Sequence, residues 1–379
     1  MKILFLGRAL LPSKPSLDVL TPEVYNYIQE SIRDPNSRFS ATFLMPGAPY
    51  SGRRYFALAF ALGKIADVKF YGPGFPEYIE SWPPKLGEID VEKVIERLYS
   101  NDYPDVVIQL SPANSDGLFG HWSNFDKVRC LRVLWAADFH NDVSHPGVEE
   151  MMKNGHWHMI IKSWDVRNLT QYSGLVQRCG VQMEWLPFSI DPEVFKDYQL
   201  PKIYDVINMG TFAGCYPLRL KIHEILNERR GEIKYICGEY FLAQGHPKMG
   251  VMTDEFAEII NKGKMFTTCT SSFKYPGMKL LEIMACNTLL VCDKPYDAEE
   301  LGLEAGVNYV ELGGDIFGGV DKDGIAILGG NFSDLINFYL RNPDEASRIA
   351  RNGYELVHSR HTNQIRAEQF LEILSRHLR

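Results

Sequence analysis

The sequence predicts an α/β protein built from two doubly wound parallel-sheet domains. Three observations carry this. Short apolar runs alternate with helix-like stretches, the pattern of strands joined by crossover helices. The alternation lapses at SIDPEVFKDYQLPK, residues 189–202, and then restarts with a fresh strand. The chain has 379 residues, more than one ordinary core supports.

In order, MKILFLG reads as a buried first strand ending in a glycine. The segment to about Pro46 is irregular, with one amphipathic stretch, PEVYNYIQESI. RRYFALAFALGK is apolar all round, so a buried helix is expected there. ADVKFYGPG is a strand with a glycine turn, VEKVIERLYSN an amphipathic helix, and PDVVIQLSP a strand. LRVLWAADFH, HMIIKSW and QMEWLPF read as three more strands. After the linker come DVINMGTF (strand), PLRLKIHEILNERR (helix), EIKYICGEY (strand), TDEFAEIINKG (helix) and KMFTTCTS (strand). A helix at MKLLEIMA and a strand at LLVC follow. GGDIFGGVDKDGIAILGG suggests a hairpin or flap, and the remainder is helical. The expected domains are 1–190 and 203–360, with 361–379 a last helix packing back on the first.

With 45% hydrophobic and 23% charged residues the chain is globular. A net charge of -8 argues against non-specific nucleic-acid binding. Seven scattered cysteines without a CxxC pair suit reduced thiols in a cytoplasm, not a disulfide frame or a zinc site. No apolar run approaches the ~20 residues that span a bilayer. The expectation is a soluble cytoplasmic protein with at most peripheral membrane contact.

The segment YPGMKLLEIMACNTLLVCDKP, residues 275–295, carries the most chemistry. Pro276 and Gly277 set a turn, and the helix that starts at Met278 presents unpaired N–H groups with partial positive charge. Lys279 adds a mobile cation in that first turn. Glu282 lies one turn in, within reach of sugar hydroxyls beside a bound phosphate. Asn287 stands where the helix should stop, since Asn tolerates the left-handed conformation. An ordinary capped helix with a solvated Glu and Lys fits the same residues.

KLLEIMACNTLLVCD resembles the nucleotide-binding segment of GT-B glycosyltransferases, especially family 4 and the related spore-coat-type group. EWLPFSIDPEVF is similar to the segment closing their N-terminal domain. DVINMGTFAGCYPLRLKIHEIL is similar to the strand, turn and helix opening their C-terminal domain. NPDEASRIARNGYELVHSRHTNQIRAEQFLEIL resembles their C-terminal helices, including Arg360, His361 and Thr362. These segments cover most of residues 180–379. The resemblance implies two Rossmann-like domains facing a cleft, and sugar transfer from a UDP- or GDP-sugar to a glycan, lipid or small-molecule hydroxyl. It implies retention of configuration. It assigns the ribose to Glu282 and the diphosphate to the backbone of Gly277 and Met278. Family 4 has a sugar-contacting Glu eight positions before Glu282, where Lys274 stands here beside Tyr275. The spore-coat-type group likewise lacks that Glu and carries a basic residue at the place of Lys279.

Three further constellations are candidates. Gly210 and Thr211 open a turn after a strand, and Arg219 or Lys221 in the next helix suits a diphosphate, since guanidinium matches phosphate oxygens in pairs. A surface Arg on an amphipathic helix fits equally. Asp138 and His140, at the carboxyl end of a strand, suit an acid/base pair or acceptor binding, or else a capping Asp and a loop His. Gly7 and Arg8 follow the first strand, on the acceptor side in GT-B enzymes; Arg53 and Arg54 in GAPYSGRRY are alternatives. No GxGxxG dinucleotide fingerprint occurs. His145, His156 and His158 lack carboxylate or thiol partners, and the DKDG at 321–324 lacks later calcium ligands, so no metal and no cofactor are expected. Two rival readings remain: a nucleotide-sugar epimerase or hydrolase of the same shape, and a non-catalytic surface-assembly or binding protein.

Overall fold

The computed structural model describes residues 1–7, 50–72, 77–79, 89–100, 102–111, 122–136, 153, 156–165, 170–210, 216–238, 254–272, 274–313, 317–320, 326–329 and 331–378. The chain divides into two compact units, Met1–Pro187 with Gln364–Arg379, and Phe188–Asn363.

Unit 1 is built on a six-stranded sheet. Its strands are β1 (Lys2–Leu6), β2 (Asp67–Tyr71), β4 (Val106–Ser111), β6 (Leu131–Ala136), β7 (Met159–Lys162) and β8 (Gln182–Trp185), in the order β2-β1-β4-β6-β7-β8. Every pairing is parallel. Parallel strands covered on both faces need apolar residues at every position, not alternate ones. Ile3, Leu4, Phe5 and Leu6 are accordingly all buried, as are Val106, Val107 and Ile108. Each such side chain contributes about 1.5–3 kcal/mol. A short parallel pair, β3 (Ile89–Asp90) with β5 (Trp122–Ser123), lies apart from this sheet.

The helices of unit 1 follow from local signals. α1 (Tyr50–Gly63) lies where the all-apolar stretch predicts it and packs by β2. α2 (Val91–Tyr99) starts at Asp90, whose carboxylate accepts from the amides of Glu92 and Lys93 at 3.1 and 3.3 Å. α3 (Thr170–Cys179) has no counterpart in the sequence reading. α9 (Asn363–His377) sets Phe370 edge-on to Trp135, with ring centroids 5.2 Å apart. Arg366 Nε donates to Pro187 O at 3.0 Å, and His377 Nε2 lies 2.7 Å from Glu184 Oε1.

Unit 2 repeats the plan. β9 (Tyr204–Met209), β10 (Tyr235–Gly238), β11 (Gly263–Thr267), β12 (Leu289–Cys292) and β13 (Val310–Glu311) form a parallel sheet in the order β10-β9-β11-β12-β13. The chain runs from β9 out to β10 and back across to β11. The order therefore reverses between β9 and β11, and the carboxyl ends of those two strands mark the ligand side of such a sheet. Four helices matter to the site and its support: α4 (Pro217–Glu228), α5 (Asp254–Asn261), α6 (Met278–Ala285) and α8 (Pro343–Arg360). Proline at the first position sets α4. α7 (Asn331–Arg341) contributes Phe332 and Ile336 to the core. The Gly-rich segment carries an antiparallel pair, β14 (Phe317–Val320) with β15 (Ala326–Leu328). The stretch read as a linker belongs to this unit, where Ile190 pairs with Thr362.

Candidate functional site

α6 is the center of the site. Its residues Met278, Leu280, Leu281, Glu282, Ile283, Met284 and Ala285 are all buried, and α8 lies against it. Gly353 permits that approach, because a Cβ there would fall 3.2 Å from Met284 Cε of α6 and 2.8 Å from Asn308 O. Asn287 has φ +51 and donates from Nδ2 to Asp197 Oδ2 at 2.9 Å, so the helix stops at a left-handed Asn. Lys202 Nζ donates to Asn287 O and Thr288 Oγ1 at 3.3 and 3.0 Å, a cation at the negative end of the helix. Burial lowers the pKa of that ammonium, and nearby Asp197 opposes the shift.

At the other end, Gly277 is the N-cap of α6 and no side chain caps the helix. A Cβ on Gly277 would meet nothing within 4 Å, so the backbone there is open to approach. Lys279 is not a mobile surface cation. Its Nζ donates to Met209 O at 2.6 Å, across the end of β9. The guanidinium of Arg219 lies over the Tyr216 ring at 4.2 Å, and its Nη2 reaches Thr268 Oγ1 at 3.4 Å. Arg219 is buried. Lys221, its alternative, lies on the exposed side of α4 and pairs with Glu224 at 2.8 Å. Of the two, Arg219 points to the sheet and Lys221 does not.

Gly210 is the hub. Its φ is +148, and a Cβ there would sit 2.2 Å from Lys279 Nζ and 3.0 Å from Arg219 Nη1. Only a glycine leaves room for both cations. The field of the pair registers on Cys269, whose thiol burial pushes up to about 11 while Arg219 and Lys279 draw it down. Asn208, just upstream, is fully buried and donates from Nδ2 to Arg219 O at 3.3 Å. A guanidinium, an ammonium and an uncapped helix start thus meet at the carboxyl ends of β9 and β11.

Glu282 lies one turn into α6 and is fully buried, so a ribose hydroxyl reaches its carboxylate only where neighbouring side chains yield. Tyr275 is buried. Lys274 has φ +60 and pairs with Asp293 at 2.6 Å, at the mouth of an open pocket of about 380 Å³ lined also by Lys294, Tyr296 and Glu311. Asp293 was not singled out from sequence, though it is the first polar residue after an all-apolar strand. Gly7 uses its N–H on Tyr71 O at 3.1 Å, and its carbonyl lies where a Cβ of Gly72 would be, so the close approach here is backbone to backbone. His158 is occupied by Arg132, whose amide donates to Nδ1 at 3.2 Å. His361 closes α8 and its Nε2 lies 2.9 Å from Leu301 O. Among the described residues no group of three His, Cys, Asp or Glu could hold a metal, and no helix is long and apolar enough to cross a membrane. Arg8, Asp138, His140, His145, Thr211 and residues 321–324 lie outside the described residues, as do the side chains of Arg53 and Arg54.

Two units, each built on a parallel sheet, give the chain the GT-B fold. Residues 225–372 match the family described as glycosyl transferase-like. No curated protein matches the chain in sequence. Solved structures share the fold at low identity. Sucrose-phosphate synthase of Thermosynechococcus elongatus is 10% identical with a TM-score of 0.54, over 99% of this chain and 98% of that one. HepE of Anabaena, solved in complex with UDP, is 14% identical with a TM-score of 0.51, over 99% and 100%. A glycosyltransferase of Rickettsia africae ESF-5 is 11% identical with a TM-score of 0.51, over 99% and 98%.

Proposed function

We infer that the chain moves a sugar from a UDP- or GDP-sugar to a hydroxyl of a glycan, lipid or small molecule, in the cytoplasm and without metal or other cofactor. The observation that carries this is the convergence of Lys279 and Arg219 on Gly210, beside the open start of α6. When the bond between the anomeric carbon and the phosphate oxygen breaks, the electron pair stays on the diphosphate. Ammonium, guanidinium and backbone amides stabilise that charge, the part a divalent cation plays elsewhere. The acceptor hydroxyl forms the new bond and loses its proton to a base, for which Asp138 and His140 are the candidates. Retention follows from the resemblance to family 4. The UDP complex of HepE supports a uridine nucleotide, and the free cysteines among the described residues suit a reducing compartment.

Full burial of Glu282 favors one rival, a protein of this shape that holds no ribose there. Calorimetry with UDP, GDP and ADP decides. We expect one of them to bind, and Glu282→Ala to weaken it about tenfold, the size of a charge-assisted hydrogen bond. No binding by the unaltered protein overturns the transferase reading, and equal binding by the variant overturns the ribose assignment.

A further inference from the structure

We propose that Asp293 is a positioning residue for the diphosphate site, acting through the segment that joins β11 to α6. The proposal rests on the nucleotide-binding reading above. Asp293 stands one residue past β12 and is buried. Its Oδ1 accepts from the Thr270 amide at 2.8 Å, and its Oδ2 accepts from Thr270 Oγ1 at 2.5 Å and from Lys274 Nζ at 2.6 Å. One carboxylate therefore ties down two points of the crossover, four residues apart.

Between these points the chain makes a tight turn. Lys274 N donates to Ser271 O at 2.8 Å, and Lys274 takes a left-handed φ of +60, which a non-glycine residue keeps only where its surroundings hold it. A further tie comes from Tyr296, three residues past Asp293, whose amide donates to Lys274 O at 2.8 Å. Both ends of the turn are thus referenced to the segment that follows β12. Just before the clamp, Thr268 accepts from Arg219 and its amide donates to Val291 O at 2.9 Å. Just after it, Gly277 opens α6. The crossover therefore carries one phosphate-site element on each side of the clamp, and Asp293 sets their spacing. Asp293 touches none of the groups assigned to the diphosphate, so its effect on binding is indirect.

The test compares Asp293→Asn with the unaltered protein, using UDP (or GDP, whichever binds) and the corresponding nucleoside without phosphate. The amide keeps the volume and one acceptor but gives up the charge and one acceptor position. Only the diphosphate meets the start of α6, so the diphosphate should bind about tenfold more weakly while the nucleoside binds as before. A general loosening of the unit weakens both ligands alike, and that result overturns the proposal, as does unchanged affinity for both. Where Asp293→Asn fails to fold, Thr270→Val, which removes only the hydroxyl donor, is judged by the same split with a smaller loss expected. If the unaltered protein binds no nucleoside diphosphate, the transferase reading falls and this proposal with it; if it binds and the split is missing, this proposal alone falls.

Discussion

Replacing Gly210 by alanine tests the site at the point where its parts meet. The new Cβ would lie 2.2 Å from Lys279 Nζ and 3.0 Å from Arg219 Nη1, at a φ of +148. Two costs follow. The backbone conformation is one that side chains rarely adopt, worth about 1–3 kcal/mol. The ammonium is the far end of a flexible chain and yields cheaply, but in moving it leaves Met209 O, a charge-assisted bond of about 1.5–3 kcal/mol. For a unit of this size each kcal/mol lowers the melting midpoint by about 2–4 °C. A diphosphate that loses one cationic contact should bind about ten- to a hundredfold more weakly. Calorimetry with the nucleotide and a thermal melt read the two costs separately. The steric part also predicts coupling. In a Lys279→Gln background, Gly210→Ala has no ammonium to displace and should add only the backbone strain. If the single variant binds nucleotide as tightly as the parent, or if the two substitutions prove additive in affinity, the geometry described here is not what binds the diphosphate.

Arg219→Gln should lower diphosphate affinity about tenfold, while Lys221→Gln, two residues on and paired with exposed Glu224, should leave it unchanged; titrations of both variants check the pair, and an equal loss in both refutes the assignment. Gly353→Ala gains about 1 kcal/mol of helix propensity, but its Cβ would fall 2.8 Å from Asn308 O, and overpacking of that kind costs about 1–3 kcal/mol. A net loss of melting temperature is expected, and a gain would show that α8 shifts freely away from Asn308. Burial, with the charge of Arg132, holds His158 below its ordinary pKa. Its unfolded form takes up a proton below about pH 6.5 while the folded form resists, so stability falls as pH drops from there towards the folded pKa. Melts of the parent and of His158→Asn across that range should diverge in slope, and parallel slopes would count against the account.

Much of this was legible in the residues, and the reasons are local. Short all-apolar runs such as ILFL and LLVC, bounded by turn residues, suit strands covered on both faces. Asn287 announced the end of its helix through a left-handed cap that few residues tolerate. What stayed hidden depends on distance along the chain. Nothing in the spacing near Lys279 shows that its ammonium meets a carbonyl 70 residues earlier, so it read as mobile. Arg219 and Lys221 are alike in type, and only the sheet beneath α4 separates them. Asp293 is one acidic residue among many until Thr270 and Lys274 are seen to close on it. The helix α3, TQYSGLVQRC, is short and mixed in character, with neither a clear stripe nor a cap to mark it.

Unit 1 is discontinuous in the chain: its closing helix, α9, is translated only after all of unit 2. On the ribosome, the first 187 residues therefore emerge without the segment that brings Phe370 to Trp135 and Arg366 to Pro187. The second-made half can mature first, and the first-made half waits for it. A chain truncated after residue 363 would keep all of unit 2 while unit 1 still lacked α9, the reverse of the usual order of completion.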